Sequence, residues 1–236
     1  MDSKQHWDEL ADVYMVKNSI TDWLLGYPAV LKLLGDLNSK TLLDLGCGSG
    51  RFSRFIAKSY PLARVIGVDT STKAIDNAHK KTEESLGIEY HLINSHEDID
   101  NYSFDVACAN FLFCTTPNVD TLIAMTKKVH SLLPSGGIFV IMDAHPEMHG
   151  KKFTSFQSDD STGLKSGDPL HVRLFTNSID IEFDDFFLAK KDYEKILTAG
   201  GFNVFETMEP IAFQYNDERL GDERQFPPYL IFKAVK

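Results

Sequence analysis

Cysteine is scarce in this chain: Cys47, Cys108 and Cys114 are the only three in 236 residues. An odd number without short metal-ligand spacing suggests neither a disulfide framework nor a zinc site, and it fits a reducing compartment. Basic residues are also in deficit, 24 Lys and Arg against 34 Asp and Glu. The resulting net charge of −10 argues against electrostatic capture of nucleic acid or anionic lipid. Long apolar runs are missing as well. The first residues, Met1-Asp2-Ser3-Lys4-Gln5-His6-Trp7, have none of the apolar run of a signal peptide, and no later stretch approaches the roughly 18 apolar residues of a membrane span. The expectation is a cytoplasmic protein whose partner is a small molecule, with no nucleic acid and no membrane.

What is present is an ordinary globular composition, 43% hydrophobic and 25% charged, in a length that allows one large domain with a modest addition. From Thr41 onward, short apolar runs alternate with longer amphipathic stretches, the pattern of strands and helices around a parallel sheet. Strands are expected at 41–45, 64–69, 88–93, 104–110 and 137–142, with helices starting near Arg51, Thr72 and Asn118. A helix over 190–199, ended by Gly200-Gly201, and strands at 202–206 and 229–234 complete the set. Residues 1–38 read as an N-terminal helical cap and 39–236 as the main domain. Within the latter, 144–187 reads as an insertion or lid, because 144–180 is too long and too rich in Ser, Thr, Gly, Asp and Lys for a simple connection. Eleven of the 17 phenylalanines follow Gly150, as an aromatic substrate pocket or as a second core layer.

The chemistry is concentrated in Leu42-Leu43-Asp44-Leu45-Gly46-Cys47-Gly48-Ser49-Gly50. This segment follows a strand and opens a helix, so its glycines let backbone approach a ligand at the carboxyl edge of the sheet. Asp69 ends the next strand, 23 residues after Gly46, near the offset of about 20 at which an acidic side chain binds a ribose hydroxyl. Charge then selects the cofactor. Asp44 would repel a pyrophosphate by roughly 4 kcal/mol at 4 Å and an effective dielectric of 20, but would attract the ammonium and sulfonium of S-adenosylmethionine. Arg51 also stands where a dinucleotide loop would carry its third glycine. As alternatives, Asp44 and Asp69 serve only as caps of the helices that follow them.

These segments, with Val65 to Ser71, Phe104 to Asn110 and Pro134 to Met142, resemble the successive motifs of the class I S-adenosylmethionine-dependent methyltransferases. The resemblance implies an α/β fold: a Rossmann-like seven-stranded sheet, mostly parallel with a reversed last strand, and helices on both faces. It further implies that Asp44, Gly46, Cys47, Gly48, Asp69, Thr70, Asn110 and Phe111 bind the cofactor. Ser95 and His96 fall where the family holds the adenine amino group, a position that is commonly acidic and here is not. Trp7 to Tyr14 resembles the helix that small-molecule members fold over the cofactor, with Tyr14 reaching it.

Transfer of a methyl group from a sulfonium is an in-line displacement that needs orientation, exclusion of water and, for some acceptors, a base. His145, just beyond the fifth strand, is the expected base, with Tyr14 as the second candidate; His149 and His171 fall in the lid. Nothing in the carboxylate spacing asks for a metal. Two other readings are an NAD(P)-dependent Rossmann oxidoreductase, disfavoured by Asp44 and by the lack of a Tyr-x-x-x-Lys pair, and a catalytically idle cofactor-binding module. A nucleic-acid substrate is disfavoured because Pro227-Pro228-Tyr229 follows Phe226 rather than the Asn or Asp of the amino-methylating signature.

Overall fold

The computed structural model describes residues 3–14, 19–99, 102–176, 180–213, 215 and 217–236. Helix α1 (Ser3–Tyr14) is followed by a π-helical turn over Asp22–Gly26 that runs into α2 (Tyr27–Leu34). Strands and helices then alternate: β1 (Thr41–Leu45), α3 (Arg51–Ser59), β2 (Arg64–Asp69), α4 (Thr72–Lys81), β3 (Glu89–Leu92), β4 (Val106–Asn110), α5 (Val119–Leu132) and β5 (Ile138–Ala144). Three further strands follow, β6 (Phe156–Ser158), β7 (Pro169–Leu174) and β8 (Ile181–Phe186). The chain closes with α6 (Lys190–Ala199), β9 (Val204–Met208) and β10 (Tyr229–Val235).

Seven strands form the main sheet in the order β3-β2-β1-β4-β5-β10-β9. β10 lies antiparallel to both of its neighbours, and the other pairs are parallel. Successive side chains of a strand point to opposite faces, so a run buried on both sides feeds two cores. In β5, Phe139 and Ile141 join a cluster with Val129 of α5 and Ile196 of α6, whereas Val140 and Met142 join one with Val30 of α2 and Ile56 of α3. Each such fully buried side chain contributes about 1.5–3 kcal/mol. Two helices begin at a side-chain cap: Ser71 Oγ accepts from Ala74 N at 3.0 Å before α4, and Asn118 Oδ1 from Asp120 N at 2.8 Å before α5. α2 is a layer of this core, since Val30, Leu33 and Leu34 are at most 2% exposed. α1 instead packs on α4: Ser71 Oγ donates to Asp8 at 2.6 Å and Asn77 Nδ2 to Asp12 at 3.0 Å.

Between β5 and α6 lies a second sheet, three antiparallel strands in the order β6-β7-β8. Its inner face carries Phe156 and Ser158 of β6, Leu170, Val172 and Leu174 of β7, and Ile181, Phe183 and Asp185 of β8, all buried. Its outer face carries Arg173, Glu182 and Asp184, all exposed. The segment read as an insertion or lid carries this sheet, which we call the roof. Its apolar residues belong to the same cluster as α2, α3 and Met142. Among the described residues, no helix is long and apolar enough to cross a membrane.

Candidate functional site

The loop after β1 turns on three glycines with positive φ, Gly46 (71°), Gly48 (54°) and Gly50 (74°), a backbone region that side chains disfavour. Gly46 N and Cys47 N both donate to Val68 O, at 2.9 and 3.0 Å, which pins the loop to the end of β2. Asp69 completes the fastening: one carboxylate oxygen accepts from Gly48 N and the other from Ser71 N, each at 2.8 Å. Burial raises the Asp69 pKa, and these backbone donors oppose the rise.

A cavity of about 830 Å³ opens over this loop at the carboxyl edge of the parallel strands. Asp44, Gly46, Cys47, Gly48, Asp69, Thr70, Ser95, His96, Asn110 and Phe111 all line it. Trp7 and Ala11 of α1 also line it, next in sequence to the anchored Asp8 and Asp12. Tyr14 ends α1, and its side chain lies outside the described residues. Sequence reasoning missed Arg51, Ser71 and the 115–118 stretch, which also line the cavity. Arg51 and Ser71 adjoin the two motifs and could have been found by extending them. Nothing local marks 115–118, which is brought in by the turn that caps α5.

Two polar groups differ in how their bonds are used. Asp44 is 1% exposed and already engaged: Ser53 Oγ donates to it at 2.5 Å and the Cys108 thiol lies at 3.6 Å. Burial pushes its pKa up to about 6 against those donors. Asn110 Oδ1, in contrast, is buried at the cavity with no hydrogen-bond donor among the described residues, an arrangement that costs free energy unless a ligand supplies one.

A second, narrower cavity lies under the three-stranded roof, and Phe111 lines both. Phe111 has φ of +56°, unusual for a bulky residue, and is tied by its N–H to Met142 O at 2.7 Å. Its ring meets Tyr229 edge-on, with centroids 5.5 Å apart. Phe156, Phe183 and Phe186 line this cavity, whereas Phe202 and Phe232 fill the main core. The late phenylalanines thus divide between a cavity wall and the core.

The structure places His145, the expected base, away from both cavities. Its N–H donates to Pro228 O at 2.9 Å, extending the β5–β10 ladder by one residue. Alternation then puts Ala144 and Pro146 on the cavity side while His145 lines neither cavity. It is 2% exposed and faces Glu209, with Nε2 to Oε2 at 3.4 Å. Burial lowers its pKa, with Glu209 opposing. The histidine that does reach the roofed cavity is His149, whose Nδ1 is 2.6 Å from Ser158 Oγ. Burial, then the neighbouring His145, lower its pKa to about 4. His171 lies on the outer face of β7, beside Asp184. Asp143 accepts from Tyr193 Oη at 2.8 Å in the core, and Asp184 is exposed. Among the described residues, no three His, Cys, Asp or Glu side chains gather as a metal-holding group.

Residues 42–137 match the family model described as a methyltransferase domain. The N-demethylindolmycin N-methyltransferase of Streptomyces griseus is 27% identical over 203 residues, covering 83% of this chain and 85% of that protein. Among solved structures, an S-adenosylmethionine-dependent methyltransferase of Listeria monocytogenes aligns with a TM-score of 0.62 at 25% identity, over 89% of this chain and 96% of its own. The CcbJ methyltransferase of Streptomyces caelestis aligns with a TM-score of 0.69 at 20% identity, over 100% and 99% of the two chains.

Proposed function

Because the chain is a class I S-adenosylmethionine-dependent methyltransferase, we propose that it methylates a small organic molecule held beneath the three-stranded roof, with the cofactor in the 830 Å³ cleft. The observation that carries the cofactor placement is Asn110 Oδ1, buried at the cleft without a donor among the described residues; it suits the ammonium group of the cofactor's methionine part. Gly46 and Gly48 admit the close approach of backbone. Asp69, at the far side of the loop, faces the place of the ribose hydroxyls, and Ser95 and His96 stand at the adenine end. Asp44 acts through Ser53, holding α3 against the loop, and adds negative potential for a cationic ligand.

When bound, S-adenosylmethionine supplies an activated methyl group. The protein's part is then positional. Phe111, at the common wall of the two cavities, brings acceptor and methyl donor to adjoining sides. Trp7 of α1 meets Phe183 of β8 edge-on at 6.3 Å, so the helix over the cleft and the roof close against each other and exclude water. On this reading 144–187 is the acceptor lid, α1 is the cofactor lid, and His149 replaces His145 as the histidine that orients the acceptor. The relative from Streptomyces griseus, by name an N-methyltransferase of N-demethylindolmycin, supports a discrete organic acceptor.

Calorimetric titration with S-adenosylhomocysteine, and with NAD as the comparison, tests this placement. Wild type binds the first and not the second. Asp69→Ala removes the acceptor of two loop N–H groups and of the ribose hydroxyls and weakens binding by about 2–3 kcal/mol, the range of hydrogen bonds to a charged group. An unchanged affinity would remove Asp69 from the cofactor site.

A further inference from the structure

The polar residues that line the roofed cavity are Asp22, Cys114, His149, Ser158, Asp185 and Tyr193. Four of them are engaged by the rest of the protein. Tyr229 Oη donates to Asp22 at 2.5 Å and Arg51 approaches it at 3.5 Å; Tyr193 Oη donates to Asp143 at 2.8 Å; the Cys114 thiol is hydrogen-bonded to Asp143 and to Asp185. What remains is the His149–Ser158 pair. Ser158 sits on the inner face of β6, opposite Val172 in the β6–β7 ladder, and Phe187 meets the His149 ring edge-on, with centroids 5.9 Å apart. The imidazole is thus held by a hydroxyl on one side and an aromatic ring on another.

The hydrogen-bonding capacity of the pair decides which ring nitrogen carries the hydrogen. The 2.6 Å between His149 Nδ1 and Ser158 Oγ suits donation in either direction. If Nδ1–H donated, the hydroxyl hydrogen of Ser158, a residue 5% exposed, would find no acceptor among the described residues, a costly arrangement. If the hydroxyl donates to Nδ1, it is satisfied and the ring hydrogen sits on Nε2, which makes no hydrogen bond with the described residues. Burial and His145 lower the ring's pKa to about 4, with Asp160 opposing, so the ring is neutral at pH 7. A neutral imidazole with its hydrogen on Nε2 is a donor at that atom, not a base.

We propose that His149 Nε2–H donates a hydrogen bond to the acceptor molecule, and that this molecule is an uncharged aromatic compound carrying a carbonyl oxygen or a pyridine-type nitrogen. This rests on the roofed cavity being the acceptor site, as argued above. The ring of such a molecule lies against Phe156 and Phe183, and its carbonyl oxygen or ring nitrogen accepts from Nε2. With no Lys or Arg among the described lining residues, and with both carboxylates already partnered within the protein, the cavity favours a neutral occupant. His149 then orients the molecule and removes no proton from it.

The test has two readings, both on protein saturated with S-adenosylhomocysteine. Long-range proton–nitrogen correlation NMR of the imidazoles, with His149→Asn to assign the signals, is expected to show the His149 hydrogen on Nε2 at pH 7.5; a hydrogen on Nδ1 overturns the inference. Calorimetric titration then compares acetophenone with α-methylstyrene, molecules of one shape with and without a carbonyl oxygen. Wild type is expected to bind acetophenone about fivefold more tightly, in the range of one neutral hydrogen bond, and His149→Phe to bring the two within about twofold. Equal binding of the two probes by wild type, or a preference that survives in His149→Phe, overturns the inference and leaves the cavity as the acceptor site. Both wild-type readings stand even where the variant fails to fold. Binding of neither probe overturns the acceptor-site reading itself, and failure to bind S-adenosylhomocysteine overturns the cofactor placement, so the three fail separately.

Discussion

The cleft and the roof of this molecule are built on different principles. The cleft is shaped by backbone: three positive-φ glycines, two amides donating to Val68 O and two more to Asp69. The roof is shaped by side chains, the inward row of three short strands resting on the core of the main sheet. Backbone geometry tolerates little change, whereas a row of inward side chains can be rewritten one at a time without altering the strands that carry it. On the proposed reading, the first region holds a fixed cofactor and the second an acceptor.

The sharpest way to break this contrast is at Gly48. A Cβ added there meets nothing within 4 Å, so the protein has room for it, while φ of 54° makes a β-branched residue strained by about 1–3 kcal/mol. Gly48→Val is expected to remain folded with a lower melting temperature and to lose more than about 100-fold in affinity for S-adenosylhomocysteine, because the new side chain takes the space that backbone needs to meet the ligand. Circular dichroism and calorimetry are read together. A folded variant that binds within threefold of wild type would show that the loop does not make a close backbone contact.

The same contrast explains what the sequence disclosed. Strands of the main sheet are buried on both faces and read as short apolar runs, so 41–45 and 64–69 match β1 and β2 to the residue. The glycine loop was legible because few residue types satisfy positive φ, and Asp69 because its offset is set by one strand-helix-strand unit. The roof was not. In β7, Pro169, His171 and Arg173 alternate with Leu170, Val172 and Leu174, and average polarity hides a period of two. At β9 the expected 202–206 shifts to Val204–Met208, because Phe202, fully buried, is the anchor before the strand rather than its first residue. For His145 the sequence places the residue beyond β5, but which face it takes depends on the ladder continuing through Pro228.

The two histidines four residues apart give a milder test of the comparison. His149 lines the roofed cavity and His145 does not, so His149→Ala is expected to lower the turnover rate of methyl transfer about tenfold, at the low end of what a positioned polar group contributes. His145→Ala leaves turnover within twofold and costs about 1–2 kcal/mol of stability through its buried contacts with Glu147 N and Glu209. Affinity for S-adenosylhomocysteine stays unchanged in both. The reverse ranking of turnover rates would restore His145 to the acceptor side.

The smallest effect expected is on stability. In the folded chain the pKa of His149 is about 4, lowered by burial and by His145 and partly restored by Asp160, against about 6.5 when unfolded. Above pH 6.5 both states hold a neutral ring and the full stability is present. As pH falls toward 4 the unfolded chain takes up the proton first, and stability is lost until the folded state protonates as well. Solvent reaches this half-buried ring, so the loss attributable to it is about 1 kcal/mol rather than the full value of the shift. Asn at position 149 keeps a polar partner for Ser158 without titrating. Urea unfolding at pH 7.5 and pH 5.0 is therefore expected to show wild type losing about 1 kcal/mol more than His149→Asn across that interval. Parallel losses would mean that burial does not hold the pKa of His149 down in the folded protein.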